Sequence, residues 1–170
     1  DLKDRSLAVN DYWLLKFDAE GSLQWDKTYG GSKDDRGQQA IQTSDGGYAI
    51  TGYAMSDDGD GSNNEGFHDN WILKLDTSGN ILWEKSFGFS GHDHSYDIIE
   101  TIDGGFFFSG FLDVTSSNGE GSTDKSRMTA HGVGEFWGTR IDANGDLIWQ
   151  KYFGGTNNDR SFGVMNANDG

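Results

Sequence analysis

Cysteine and proline are both missing from the 170 residues. Without cysteine there is no disulfide framework and no thiol chemistry, an absence that is neutral about compartment. Without proline, the turns fall to 26 glycines together with asparagine and aspartate, which bend the chain by hydrogen-bonding their own backbone. Basic residues are scarce, 13 against 28 acidic ones, for a net charge of −15. Nucleic acid and anionic membrane surfaces need a basic footprint, so neither is expected as a partner, while divalent cations are permitted. No apolar run approaches membrane-spanning length, so no direct membrane insertion is expected, and no signal peptide is visible. Helical periodicity is missing too.

What the chain does contain is a repeat, and a repeat decides architecture before any single residue does. "YGGSKDDRG" at 29–37 returns as "FGFSGHDHS" at 87–95 and "FGGTNNDRS" at 153–161. The six tryptophans form three pairs, Trp13/Trp25, Trp71/Trp83 and Trp137/Trp149, with 12 positions between the members of each. Asp35, Asp93 and Asp159 follow the second Trp by 10 positions, and Asp45, Asp103 and Asp169 follow those by 10 more. The spacing from that last Asp to the next Trp is 26 in one case and 34 in the other. A unit of fixed length therefore alternates with one elastic loop.

Within the unit the period is two, the signature of strands. "WLLKFD", "WILKLD" and "WGTRID" each lead through a glycine-bearing turn into "LQWDKTY", "ILWEKSF" and "LIWQKYF". The next two strands are "QQAIQT" and "YAITGY", joined by "SDGG", with "YDIIET" and "FFFSGF" in the second copy. Four short antiparallel strands per unit, recurring every 58 to 66 residues, predict an all-β chain, a fragment of a β-propeller built from four-stranded blades. The "AIQT/IIET" strand is apolar or small on both faces, which predicts that it is buried innermost, near a central channel, as strand A. "YAITGY", the "WILKLD" type and the "ILWEKSF" type follow as B, C and D. On this reading 1–36 is a C–D half blade with its crossover, 37–94 and 95–160 are blades, and 161–170 starts another. Propellers close with about four to eight blades, so the rest of the propeller is expected in the same chain, and residues 1–170 alone are expected to fold poorly or self-associate.

The run "FDAEGSLQWDKTYGG" at 17–31, with "DYWLLKFDAEGSLQWDKTYGGSKDD" and "TSDGGYAITGY", resembles the secreted propeller-repeat proteins of Bacteroidota. Through "GGSKDD" and "GYAITGYAMS" it is similar to seven-bladed propeller repeats, and through "LDTSGNILWEKSFG" it is more distantly similar to quinoprotein-type Trp-docking repeats. The resemblance implies an exported protein at the extracellular side or outer surface of a Gram-negative bacterium, carried there by a separate C-terminal sorting domain. A protein or glycan of the cell surface is the partner it implies.

Candidate residues fall into scaffold and loop groups. Trp13, Trp25, Trp71, Trp83, Trp137 and Trp149 hold fixed repeat positions and are expected to pack between blades. Lys27, Lys85 and Lys151 are expected to lay their stems on those rings. Asp35, Asp93 and Asp159 end the D-to-A crossovers, where an Asp can accept from loop N–H groups.

The elastic loop "SDDGDGSNNEGFHDN" at 56–70 is dense in oxygen ligands and reads either as a solvated acidic loop or as a Ca²⁺ site on Asp58, Asp60 and Asp69. Asp58, Asp60, Ser62, Asn64 and Asp69 match positions 1, 3, 5, 7 and 12 of an EF-hand loop. Asn63 stands where that loop needs Gly, however, and an Asp where it needs a bidentate Glu. His92 and His94 flank Asp93, so an extended backbone points both rings the same way, and His68 belongs to a loop on the same rim. Such a trio can ligate Zn²⁺, although the other copies carry Lys33 or Asp34, and Asn158, at the matching places.

The D-to-A and B-to-C connections share one rim, so Asp58, Asp60, Asn64, His68, His92, Asp93, His94 and His131 are the expected partner contacts. Two function classes follow: a non-catalytic binding or scaffold module, or a propeller enzyme (lyase, hydrolase or quinoprotein) with its site over the channel mouth. The A-strand mouths carry Gln, Tyr, Asp97 and Phe162 and keep to the repeat, which favours binding.

Overall fold

A computed structural model of the chain describes residues 9–89, 91–112, 135–153 and 159–167. Among them are ten strands and no helix. These are β1 (Tyr12–Phe17), β2 (Leu23–Tyr29), β3 (Asp35–Gln42), β4 (Tyr48–Ala54), β5 (Asp69–Leu75), β6 (Ile81–Phe87), β7 (Asp93–Glu100), β8 (Phe106–Leu112), β9 (Glu135–Ile141) and β10 (Leu147–Phe153). Within each sheet, strands adjacent in sequence pair antiparallel. They form a β1–β2 hairpin and two four-stranded meanders, β3-β4-β5-β6 and β7-β8-β9-β10. The strand order A–B–C–D expected from the repeat is the observed order in both.

Local chemistry explains each turn. Asp18, Asp76 and Asp142 accept backbone N–H groups two and four residues on, closing the β1–β2, β5–β6 and β9–β10 turns. Gly21, Gly79 and Gly145 supply the positive φ those turns require, at 83°, 76° and 82°. In the "T-x-D-G-G" turns, Thr43 and Thr101 donate their hydroxyls to Asp45 and Asp103. Those aspartates also pair with the basic residue of the C strand, Lys74 or Arg140.

The sheets pack face to face in three layers. On one side of sheet β3–β6, Ile50, Trp71, Leu73 and Leu75 bury against Tyr12 and Tyr29 of the hairpin. On its other side, Ala49 and Ile72 bury against Ile98, Phe106, Phe108 and Ile141 of the second sheet. The two interfaces are built alike. Trp25 packs edge-on against Tyr48 with ring centroids 5.5 Å apart, and Trp83 does the same against Phe106 at 5.9 Å. Beside them, Lys27 Nζ donates to Asn80 Oδ1 over 3.2 Å, and Lys85 Nζ meets Asp146 Oδ1 at 3.4 Å. The third repeat's start continues the pattern: the Ser109 and Ser161 hydroxyls are 3.0 Å apart, as the Thr51 and Ser95 hydroxyls pair between the two full sheets.

Two expectations are corrected. The strand buried on both faces is β5, not strand A: every residue of β5 is buried, whereas β3 is exposed over most of its length. A middle strand is covered by both neighbouring layers, while β3 is a sheet edge that β1 meets near Gly37 but leaves exposed over most of its length. The tryptophans, in turn, are not uniformly between layers. Trp71 and Trp137 are buried and Trp25 and Trp83 half-buried, but Trp13 is 50% and Trp149 40% exposed. Those two face outward from the first and last layers.

Residues 159–167 carry no strand; they lie along β7, with Val164 N donating to Asp97 and Asn166 Nδ2 to the Glu100 carbonyl. His131, Asn158, Asp169 and most of the 112–135 loop lie outside the described residues.

Candidate functional site

The D-to-A crossovers and the B-to-C loop meet on one rim because buried aspartates pull them together. Asp35 is fully buried and accepts from Gly31 N, Met55 N, Ser56 N and the Ser56 hydroxyl at 2.7–3.0 Å. Asp93, also fully buried, accepts from Phe89 N at 2.7 Å. Its backbone N–H donates to the His68 carbonyl at 2.8 Å. His68 N in turn donates to the Gly91 carbonyl at 3.1 Å, so residues 68 and 92 run side by side as a parallel bridge.

Inward placement of Asp93 and Ser95 turns their alternating neighbours, His92 and His94, toward the rim. The bridge brings His68 to them. His68 Nδ1 is 2.8 Å from His92 Nδ1 and 3.1 Å from His94 Nε2. One ring nitrogen from each of the three lies within 4.8 Å of the other two.

Aromatic side chains hold these rings. Tyr53, at the end of β4, stacks on His94 with centroids 4.2 Å apart and an interplanar angle of 15°. Phe67 lies 4.6 Å from both His68 and His92. His68 and His94 are half-buried, and His92 is exposed. Burial, and then the neighbouring imidazoles, press His68 and His94 down to about 4. Both rings are therefore neutral near pH 7, the form in which imidazole is a metal ligand. The charged groups around them are Asp34 and Arg36, paired at 2.8 Å, with Asp35 and Arg160.

The acidic loop is arranged differently. Asp58 Oδ1 accepts from Ser32 N at 2.8 Å and Asp60 Oδ2 from Gly30 N at 3.2 Å, bracing the loop against the first crossover. Asn64 donates to the Ala54 carbonyl and accepts from Gly66 N. Asn63 does take the left-handed conformation, with φ 58°, that the EF-hand glycine supplies. Asp69, however, is buried at the start of β5, its Oδ2 bound to Glu65 N. Asp58, Asp60 and Asp69 thus serve separate backbone partners. Among the described residues, the cluster of metal-ligating side chains that the fold assembles is the histidine trio. Asp159 is half-buried.

Two open clefts are lined by other residues. One of about 580 Å³ lies between β1 and β3, lined by Tyr12, Arg36 and Gln39, and one of about 650 Å³ lies between the turns near Glu100 and Asn166.

Sequence reasoning placed the three histidines on one rim but missed Tyr53 and Phe67, which orient them. The signal for Phe67 was local, an exposed aromatic directly preceding a histidine in "GFHDN". No protein-family model matches the chain, and no curated protein is significantly similar to it.

Proposed function

We propose that the chain is part of an exported β-propeller of the bacterial secreted-repeat kind, and that it works as a non-catalytic binding module contacting a surface protein or glycan through one rim. The observation that carries this reading is the repetition of one interface: the same Trp and Lys contacts join hairpin to sheet and sheet to sheet, and the same hydroxyl pair joins sheet to sheet and sheet to residues 159–167. A unit that docks onto its successor by matching contacts builds an array whose scaffold is constant and whose loops vary. The rim carrying Asp58, Asp60, Asn64 and the histidines is where chain length varies between copies. The opposite rim carries tight turns at 44–47 and 77–80.

The test is a binding screen of the chain against arrayed glycans and outer-surface proteins, followed by variants on each rim. Asp58→Ala with Asp60→Ala should weaken binding while leaving the melting transition in place. Substitutions at Ser44 and Thr77 should leave binding unchanged. A partner whose binding is lost at Ser44 and Thr77, and kept in the Asp58/Asp60 variant, overturns the assignment of the working rim.

A further inference from the structure

We infer that His68, His92 and His94 form a binding site for one divalent transition-metal ion of the imidazole-preferring class, with Zn²⁺ as its representative. The first ground is convergence. A tetrahedral Zn²⁺ with Zn–N bonds of about 2.0–2.1 Å sets its ligand nitrogens about 3.3 Å apart. The nitrogens here stand 2.8 and 3.1 Å apart along two edges, with all three within 4.8 Å. Ligand spacing is reached by ring rotations that open these two edges and draw His92 and His94 together, and the exposed side of His92 leaves the fourth position to water or a donor from outside. Three imidazoles without a carboxylate suit Zn²⁺, Cu²⁺ or Ni²⁺ and do not suit Ca²⁺, which wants oxygen.

The second ground is the proton count. A neutral imidazole carries one N–H and one in-plane lone pair. His68 Nδ1 faces a nitrogen of both other rings, yet can make a single well-directed N–H···N bond. Hydrogen bonding among the three rings therefore leaves one close N···N approach unrewarded, whereas a central cation uses all three lone pairs.

The third ground is the repeat itself. Counting from the buried Asp35 and Asp93, the first copy has Asp34 and Arg36 where the second has His92 and His94. Asn10, one residue before Asp11, stands where His68 precedes Asp69. In that copy the three side chains form a closed, complementary set: Asn10 Nδ2 donates to Asp34 Oδ1, and Arg36 Nε pairs with Asp34 Oδ2 at 2.8 Å. The scaffold is satisfied by Asn, Asp and Arg, so it does not demand histidine. Replacement of all three by imidazoles in one copy is a local departure toward metal ligation. The inference does not depend on whether the layers belong to a propeller or on which partner the rim binds.

The experiment uses the full chain, purified with a chelator and then freed of it. Isothermal titration with Zn²⁺ should show one ion per chain at micromolar or tighter affinity, and Co²⁺ should give the intense visible bands of a low-symmetry nitrogen site. Excess Ca²⁺ should not displace either ion. His92→Ala removes an exposed ring and should weaken Zn²⁺ binding at least tenfold, roughly the loss of one ligand of three.

The triple variant His68→Asn, His92→Asp, His94→Arg installs the first copy's set and should fold, by circular dichroism, while losing stoichiometric Zn²⁺ binding. If the triple variant fails to fold, His92→Ala alone decides. Absence of stoichiometric binding by the unmodified chain, displacement by Ca²⁺, or unchanged affinity in the histidine variants each overturns the assignment.

Discussion

The carboxylate of Asp35 receives three backbone N–H groups and one hydroxyl in a place with no solvent access. Removing it leaves those donors buried without an acceptor, each costing on the order of 1–3 kcal/mol. Asp35→Ala should therefore lower stability by roughly 3–5 kcal/mol in urea unfolding, and Asp35→Asn by less, because an amide oxygen still accepts. An effect below about 1 kcal/mol, the level of an ordinary surface substitution, would show that the crossover is held by something else.

Asp69 is a different case. Its Oδ1 is buried without a hydrogen bond among the described residues, and burial, aided by Glu65 and Asp57, pushes the carboxyl up to about 7. The folded protein keeps this proton to near neutrality, whereas the unfolded chain releases it near pH 4. The stability it contributes is thus fully present below about pH 4 and is lost as pH rises to 7. His68 and His94 act in the opposite sense: being held neutral down to about 4, they cost stability as pH falls from 6.5 to 4. Comparing Asp69→Asn with the parent in the presence of chelator cancels the histidine contribution. The variant should melt higher than the parent at pH 8 and close to it at pH 4. Equal differences at both pH values would contradict the assignment.

At the scale of elements, the repeated glycine of "ITGY" and "FSGF" has a reason that periodicity did not supply. Strands β3 and β7 each carry a bulge, between Gly37 and Gln39 and between Ser95 and Asp97. The bulge presses a backbone carbonyl onto the partner strand. A Cβ on Gly52 would lie 2.1 Å from the Arg36 carbonyl oxygen, and one on Gly110 1.8 Å from that of His94. Backbone cannot move aside as a side chain can, so Gly52→Ala and Gly110→Ala should each cost more than about 2 kcal/mol. Gly104→Ala, at a positive φ of 79° with open space around it, should cost about 1 kcal/mol. Similar melting temperatures for all three variants would show that the bulges relax.

Gly110→Ala also moves the carbonyl of a proposed metal ligand, so Zn²⁺ affinity should fall with it. What alternation and turn chemistry made legible was strand identity: β2, β6 and β10 match their expected limits residue for residue. Bulges were not legible, because an extra unpaired residue leaves a period-two pattern looking like ordinary variation. Nor was the burial of β5. A strand such as "DNWILKL" hides Asn70 and Lys74 inside with bonds to partners in other segments, and Asp69 as a carboxyl that burial keeps protonated to near neutrality.

For the whole molecule, the decisive feature is an interface that repeats from one layer to the next. Trp25 and Trp83 each dock on the aromatic residue that starts the next sheet's B strand, Tyr48 or Phe106. Tyr29 is buried in the first interface, and Phe87 packs on Phe108 at 5.4 Å in the second. The matching residues of the last sheet, Trp149 and Phe153, are 40% and 48% exposed, and Trp149 lies on Phe107 of its own sheet at 5.6 Å. That sheet has already adjusted its volume: Phe107 and Gly138 stand where Ala49 and Ile72 stand in the sheet before, with Phe107 lying over Gly138. Among the described residues, the face therefore has the apolar character of an interface without a layer upon it, and contiguous exposed apolar surface of this kind drives association. In the proposed array, a further repeat covers it. In the chain studied alone, a second copy is the available cover. Sedimentation should accordingly show concentration-dependent self-association, reduced by Trp149→Ser with Phe153→Ser and unaffected by Asp58→Ala. A chain that stays monomeric at high concentration, with Trp149 quenched freely by iodide, would mean that this face is an ordinary surface.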